Sequence, residues 1–213
     1  MALLPTTAPA RIDGIGDGVF DAPPLRGAAV DEAALAAITD LHREVLPAGG
    51  AILDLLSGWV SHLPPEVPYS RVVGIGANAC ILAENPFLDE WRVQDLNQDP
   101  RLHFDTGEFD GAAMCASIQQ LTRPAELMRE VGRVLKLGAP LVVTFSRRCL
   151  PIPAIGCWCL HDDTGHLCLV AQHFAAAGNW ADIRCLDRTP PGDGDPVYAV
   201  VGRSLGSAAN GHD

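Results

Sequence analysis

The chain has 213 residues, 48% of them hydrophobic, a length that suits one α/β domain with its own core and shows no sign of a second. Its 26 acidic residues against 15 lysines and arginines give a formal charge of -11, which works against a nucleic-acid substrate because phosphate contacts supply most of that affinity. No stretch reaches about 18 apolar residues and the Met1-Ala-Leu-Leu start lacks a basic flank, so a cytoplasmic protein acting on a small molecule, without membrane contact, is expected.

Residues 1–28 are rich in Gly and Pro and predict a flexible N-terminal segment, residues 29–203 a single domain, and 204–213, small and polar, a disordered tail. From Asp31 to Leu46, apolar residues at Leu35, Ile38, Leu41, Val45 and Leu46 have helical spacing, with acids at the start and Pro47 at the end. After the Gly49-Gly50 turn, Ala51–Leu55 predicts a first strand and Arg71–Ile75 a second. A helix beginning near Trp59 meets Pro64 and Pro65 within a turn and a half, so the first crossover helix is expected to be stunted. Ala79–Glu84 predicts another short helix, halted before Pro86.

Trp91–Gln94 is expected as strand three and Phe109–Ala116 as strand four. Pro124–Leu137 then carries Leu127, Met128, Val131, Val134 and Leu135 on one face, with proline in its first turn and Gly138 past its end. Pro140–Phe145 is a continuous apolar run suited to the middle of a parallel sheet, and Leu167–Ala177 is helical with Gly178 as its stop. Asp182–Leu186 and Val197–Val201 predict a closing antiparallel hairpin at a sheet edge. The class that follows is α/β, a mostly parallel sheet with helices on both faces.

Seven cysteines without regular spacing read as reduced thiols, and Cys80, Cys115, Cys149, Cys168 and Cys185 are expected to be buried as small hydrophobes. The run Cys157 to Cys168 holds enough N and S ligands for zinc, but its spacings match no standard structural pattern. No metal is expected there, and Ile155, Trp158 and Leu160 read instead as an apolar cover over a site. His42, His62 and His173 are expected to be structural or exposed.

The strand ends at Asp54, Gly76 and Asp95 fall about twenty residues apart, as they do when consecutive βα units line one rim of a parallel sheet where nucleotide-type cofactors bind. One reading is a dinucleotide fingerprint: Gly74-Ile75-Gly76-Ala77-Asn78-Ala79 follows a strand, and Asp95 lies where a ribose-binding acid belongs, which would make the chain an NAD(P)-binding oxidoreductase. Against it stand the complete strand before the glycines and the short helix after them. Asp54 and Asp95 can also be plain turn or capping acids, and Arg147 and Arg148 past strand five plain surface charges.

Phe109-Asp110, Ser117, Gln119-Gln120-Leu121, Arg133-Val134-Leu135-Lys136-Leu137-Gly138 and the apolar strand to Phe145 resemble the class I S-adenosylmethionine-dependent methyltransferases of the type 11 kind. Ile52-Leu53-Asp54-Leu55, Gln94-Asp95-Leu96 and Leu102-His103-Phe104 fit the same register, so the resemblance spans about residues 50 to 203. Asp54-Leu55-Leu56-Ser57-Gly58-Trp59 and Gly74-Ile75-Gly76-Ala77-Asn78 are similar to a divergent bacterial-type subgroup. The resemblance implies a Rossmann-like seven-stranded sheet and S-adenosyl-L-methionine as cofactor. It implies that Asp54, Leu55, Ser57 and Gly58 form the loop for the methionine end, with Leu56 and Val60 where glycines are usual. Gly76 falls where an acid normally receives both ribose hydroxyls, leaving Asn78 for one of them, while Asp95 and the Leu96 backbone would read adenine. Ser117 would flank the cofactor, and Gln119 and Gln120 would face the methyl group as orienting groups. An in-line displacement of this kind needs no metal. Paired arginines at 147 and 148 could clamp an acceptor carboxylate. The alternative within the same fold is a non-catalytic domain that works through protein contacts.

Overall fold

The central strands are buried along almost their whole length, and successive side chains enter cores on opposite faces of one sheet. The computed structural model describes residues 30–146 and 158–206. In chain order they form α1 (Glu32–Val45), β1 (Ala51–Leu55), β2 (Arg71–Gly76), α2 (Ala79–Glu84), β3 (Glu90–Val93), β4 (Gly111–Cys115), a 3-10 turn (Ile118–Gln120), α3 (Pro124–Val134), β5 (Pro140–Phe145), a second 3-10 turn (Trp158–Leu160), α4 (Asp163–Ala177), β6 (Trp180–Asp187) and β7 (Tyr198–Ser204). The strand order is β3-β2-β1-β4-β5-β7-β6. Strands β1 to β5 pair in parallel, and β7 runs antiparallel to both of its neighbours. The expected seven-stranded, mostly parallel sheet with an antiparallel C-terminal hairpin is what forms.

On one face Leu53, Val73, Met114 and Val143 meet α3 and α4 through Met128, Val131, Val170 and Phe174. On the other, Ile52, Val72, Ala113 and Val142 meet Leu41 of α1 and Leu63. Each such fully buried side chain contributes about 1.5–3 kcal/mol. Hydrogen bonds close the seam between α3 and the α4–β6 corner: the Trp180 indole donates to the Met128 carbonyl at 3.1 Å, and the Asn179 amide to the Arg129 carbonyl at 2.9 Å. Gly132 lets that corner approach, since a Cβ there would lie 2.3 Å from the Asn179 amide nitrogen.

Several elements depart from the sequence expectation, each for a reason outside local periodicity. Between β1 and β2 there is no stunted helix but a loop through residues 56–70. Pro64, Pro65 and Pro68 remove donors that a helix would need. Leu63 drives into the core instead, and the His42 ring donates from Nδ1 to the His62 carbonyl at 3.0 Å. Helix α3 stops at Val134 rather than Leu137, and β4 begins at Gly111 rather than Phe109, because Phe109 and Leu135 bridge each other. Helix α4 starts four residues before the expected Leu167: the Asp162 carboxylate caps it by accepting from the Gly165 amide at 2.8 Å. Strand β7 runs through Ser204, three residues beyond the expected Val201, and the Ser204 hydroxyl donates to the Gly132 carbonyl. Cys80, Cys168 and Cys185 are exposed, so their expected burial is not met, whereas Cys115 packs against the cluster of Val30, Ala34, Ile38 and Val197. Cys149 lies outside the described residues. No helix among the described residues is long and apolar enough to cross a membrane.

His42 is completely buried, and burial pushes its pKa from 6.5 down to about 4, opposed by the bond to the His62 carbonyl. The unfolded chain therefore binds a proton that the folded chain refuses in that interval, so stability rises with pH there. His42 alone is expected to contribute about 3 kcal/mol of stability above pH 6.5 that is lost as the pH falls toward 4. Urea unfolding of the wild type and His42→Asn across this range checks it. The asparagine amide keeps a donor for His62, and the slope should flatten in the variant.

Candidate functional site

Because β1 to β5 are parallel, their C-terminal ends share one rim, and the residues singled out in the sequence gather there. Asp54 lies in β1, in register with Gly74 of β2 on one side and Ala113 of β4 on the other, and is only 3% exposed. Its carboxylate accepts from the Ser57 hydroxyl and, at 2.7 Å, from the Ser61 hydroxyl, both on Oδ2. Burial pushes the Asp54 pKa up to about 6, against the pull of those two donors. The loop after β1 is thus folded back onto its own strand. Asn85, at the end of α2, holds it down: its amide donates to the Gly58 carbonyl at 2.9 Å and to the Ser61 hydroxyl at 3.0 Å.

Leu56 takes a left-handed backbone, φ 52°, in this loop. That conformation costs a non-glycine residue about 1–2 kcal/mol, and Leu56 offsets part of it by packing on the core. The Leu55 side chain is wholly within the core, so only its backbone faces the rim. Gly58 is open, with nothing within 4 Å of where a Cβ would stand.

At the end of β2 the picture differs. The Ser57 amide donates to the Ile75 carbonyl at 2.8 Å, which lays the β1 loop across the β2 terminus. A Cβ on Gly76 would stand 2.9 Å from the Ser57 carbonyl oxygen and 3.2 Å from Leu82. Asn78 caps α2, its side-chain oxygen accepting from the amides of Cys80 at 3.0 Å and Ile81 at 3.2 Å. The oxygen expected to serve a ribose hydroxyl is therefore already in use. Gly74 and Gly76 both lie inside β2, and a Cβ at Gly74 would collide with Leu88 at 2.4 Å. These glycines serve close packing in a strand rather than a phosphate-binding turn, which removes the basis of the dinucleotide reading.

Asp95 follows β3 and turns the chain, accepting from the Asn97 amide at 2.9 Å and the Gln98 side chain at 3.1 Å; Leu96 behind it is buried. Asn97 ties this loop to the one after β4. Its amide donates to the Gln120 carbonyl at 3.0 Å, and its oxygen accepts from the Thr122 amide at 2.8 Å. Asp95 and the Ser117–Gln120 turn are therefore held side by side. Within that turn the Gln119 amide donates to the Ala116 carbonyl at 2.9 Å and its side chain is 1% exposed, while Gln120 is half-buried. The Ser117 hydroxyl and Gln119 Oε1 are sealed from solvent without a partner among the described residues. Leaving a buried polar atom unpaired costs about 1–3 kcal/mol.

Past β5, the Trp158 ring is buried and stacks on His166 with centroids 4.1 Å apart, edge-on to Phe145 at 5.3 Å. His166 Nε2 lies 2.9 Å from the Trp158 carbonyl, which can only accept, so that nitrogen carries the proton. Leu160, expected beside Trp158 in the apolar cover, is 84% exposed. Arg147, Arg148, Ile155 and Cys157 lie outside the described residues. Among the described residues no group of three His, Cys, Asp or Glu side chains could hold a metal ion. Sequence reasoning did not find Ser61, Asn85 or Asn97. Asn85-Pro86-Phe87 and Asp95-Leu96-Asn97 both carry the wording of an Asx turn, in which the first residue's side-chain oxygen accepts from the third residue's amide.

No protein-family model and no curated protein matches the chain. Solved structures resemble it in fold. An S-adenosylmethionine-dependent methyltransferase from Mesorhizobium loti is 19% identical, with a TM-score of 0.57 over 79% of this chain and 98% of its own. One from Aquifex aeolicus is 16% identical, with a TM-score of 0.57 over 81% and 91% of the two chains. The cyclase SpnF is 18% identical, with a TM-score of 0.56 over 78% and 80%. The chain has the class I S-adenosylmethionine-dependent methyltransferase fold.

The buried Asp54 gives this rim a measurable pH signature. Its folded pKa is raised from 3.8 to about 6, so the folded state keeps its proton to higher pH than the unfolded state does. The stabilisation is full below the unfolded value and is lost as pH rises through the folded one. The stability of the wild type relative to Asp54→Asn should fall by about 3 kcal/mol between pH 3.8 and neutrality, measured by paired denaturant titrations.

Proposed function

We propose that this chain is a cytoplasmic S-adenosylmethionine-dependent methyltransferase that transfers a methyl group to a small-molecule acceptor. The observation that carries the reading is the pairing of Asp95 and Leu96 with the Ser117–Gln120 turn, locked by Asn97. An adenine amino group can donate to the Asp95 carboxylate, whose two oxygens retain lone pairs beyond those used by Asn97 and Gln98. Ser117 and Gln119 would meet a ligand through their backbone, since the Ser117 hydroxyl and Gln119 Oε1 are sealed from solvent. Leu55, Ser57 and Gly58 would line the methionine end.

The bound sulfonium would supply an activated methyl group; what this chain contributes is position, holding the acceptor in line and keeping water out. Gln120 is the orienting side chain in this reading. Gln119, which spends its amide on Ala116, props the turn from beneath. Neither glutamine can take a proton, so neither serves as a general base in this reading.

The filled space at Gly76 favours a second reading, a non-catalytic domain of the same fold acting through protein contacts. Shared fold does not fix the reaction, as the likeness to a cyclase illustrates. Calorimetry with S-adenosylmethionine, S-adenosylhomocysteine and NADP(H) separates the possibilities. Micromolar binding of the two adenosyl ligands alone is expected, and silence with all three favours the non-catalytic domain. Asp95→Ala should weaken S-adenosylhomocysteine by about 1–3 kcal/mol, the cost of losing a hydrogen-bonded acceptor. An unchanged affinity would remove Asp95 from the site.

A further inference from the structure

Among the described residues, every side-chain acceptor that could serve a ribose diol at the end of β2 is either missing or committed elsewhere. Gly76 carries no side chain and has no space for one, because the Ser57 carbonyl oxygen stands 2.9 Å from its Cβ position. That carbonyl cannot swing away freely, since the Ser57 amide is bonded to the Ile75 carbonyl at 2.8 Å and the Ser57 hydroxyl to Asp54. Asp54, on the neighbouring strand β1, is buried and accepts from two serines. Asn78 spends its oxygen on the first amides of α2. The protein's own backbone thus occupies the place of a two-pronged carboxylate and offers one neutral oxygen in exchange for two charged ones.

From this we infer that the site selects its ligand by the adenine and does not read the 2′- and 3′-hydroxyls of the ribose. The inference rests on the adenosyl reading above and concerns only how that ligand is chosen. A site built around a buried acceptor rejects an analogue lacking the hydroxyl because the acceptor is then left unpaired, and such rejection is large. With no dedicated acceptor at position 76, deleting a hydroxyl strands nothing. The specificity that remains comes from Asp95, the Leu96 backbone and the turn beside them.

The test is calorimetry of the full chain with S-adenosylhomocysteine and with its 2′-deoxy and 3′-deoxy analogues. Both analogues should bind within about tenfold of the parent, less than the loss expected for one good hydrogen bond to a charged group. A loss beyond about tenfold for either analogue, with the parent bound, overturns the inference and leaves the adenosyl reading standing. No binding of any of the three overturns the adenosyl reading and this inference with it. Gly76→Asp provides an independent check: it should lower the melting temperature without creating hydroxyl discrimination. A folded Gly76→Asp protein that gains more than about tenfold discrimination would show that the Ser57 carbonyl does not block the position.

Discussion

A carboxylate inside an interior strand of a sheet has no water to turn to, and the region around Asp54 is arranged around that fact. An ionised group in such a place is tolerable only if protein donors replace its hydration. Here the donors are the hydroxyls of Ser57 and Ser61, three and seven residues further along the same chain. To deliver them the chain must double back over the end of β1, which it cannot do as a helix. The Ser57 backbone then falls on β2, its amide on Ile75 and its carbonyl over Gly76. Asn85 reaches across from α2 and fastens the loop.

The absence of a helix between β1 and β2 leaves part of that sheet face to be covered by other means. Leu63 from the crossover loop and Leu41 from α1 supply the cover, and the two segments are joined where the His42 ring meets the His62 carbonyl. Two buried titratable groups result, with opposite preferences. His42 resists its proton down to about 4, whereas Asp54 holds its own up to about 6. Between those values acidification relieves Asp54 while it strains His42, so the two contributions oppose each other.

Elements governed by local patterns were legible in the sequence. Strand β1 and helix α2 fall on their expected bounds, and α1 fills the span between its Asp31 cap and Leu46, because spacing, caps and proline stops lie within a few residues of what they control. Errors arose where distant residues decide. Phe109 and Leu135 leave their expected elements to pair with each other across 26 positions of sequence, a contact no local window contains. At the rim, Asp54 and Asp95 were visible as strand-end acids. Ser61, Asn85 and Asn97 were not, since each matters through a hydrogen bond made by the folded chain. The Gly74-Ile75-Gly76 wording misled because packing against Leu88 and Ser57 requires the same small residue that a phosphate turn does.

The two departures from the methyltransferase wording, glycine at 76 and the serine-bearing loop after Asp54, are best understood as one. Asp54 stands in register with Gly74, two residues before Gly76, so an acid at 76 would add a second carboxylate to the rim beside an already buried one. Two negative charges close together in a region of low dielectric raise each other's pKa, and burial already holds Asp54 at about 6 against the pull of its two serine donors. Drawing Ser57 inward gives Asp54 a neutral partner, and the same movement brings the Ser57 carbonyl over β2. Once the carbonyl is there, only glycine fits at 76. A return to the acid would therefore require the loop, its serines and Asn85 to change together, because each holds the others in place.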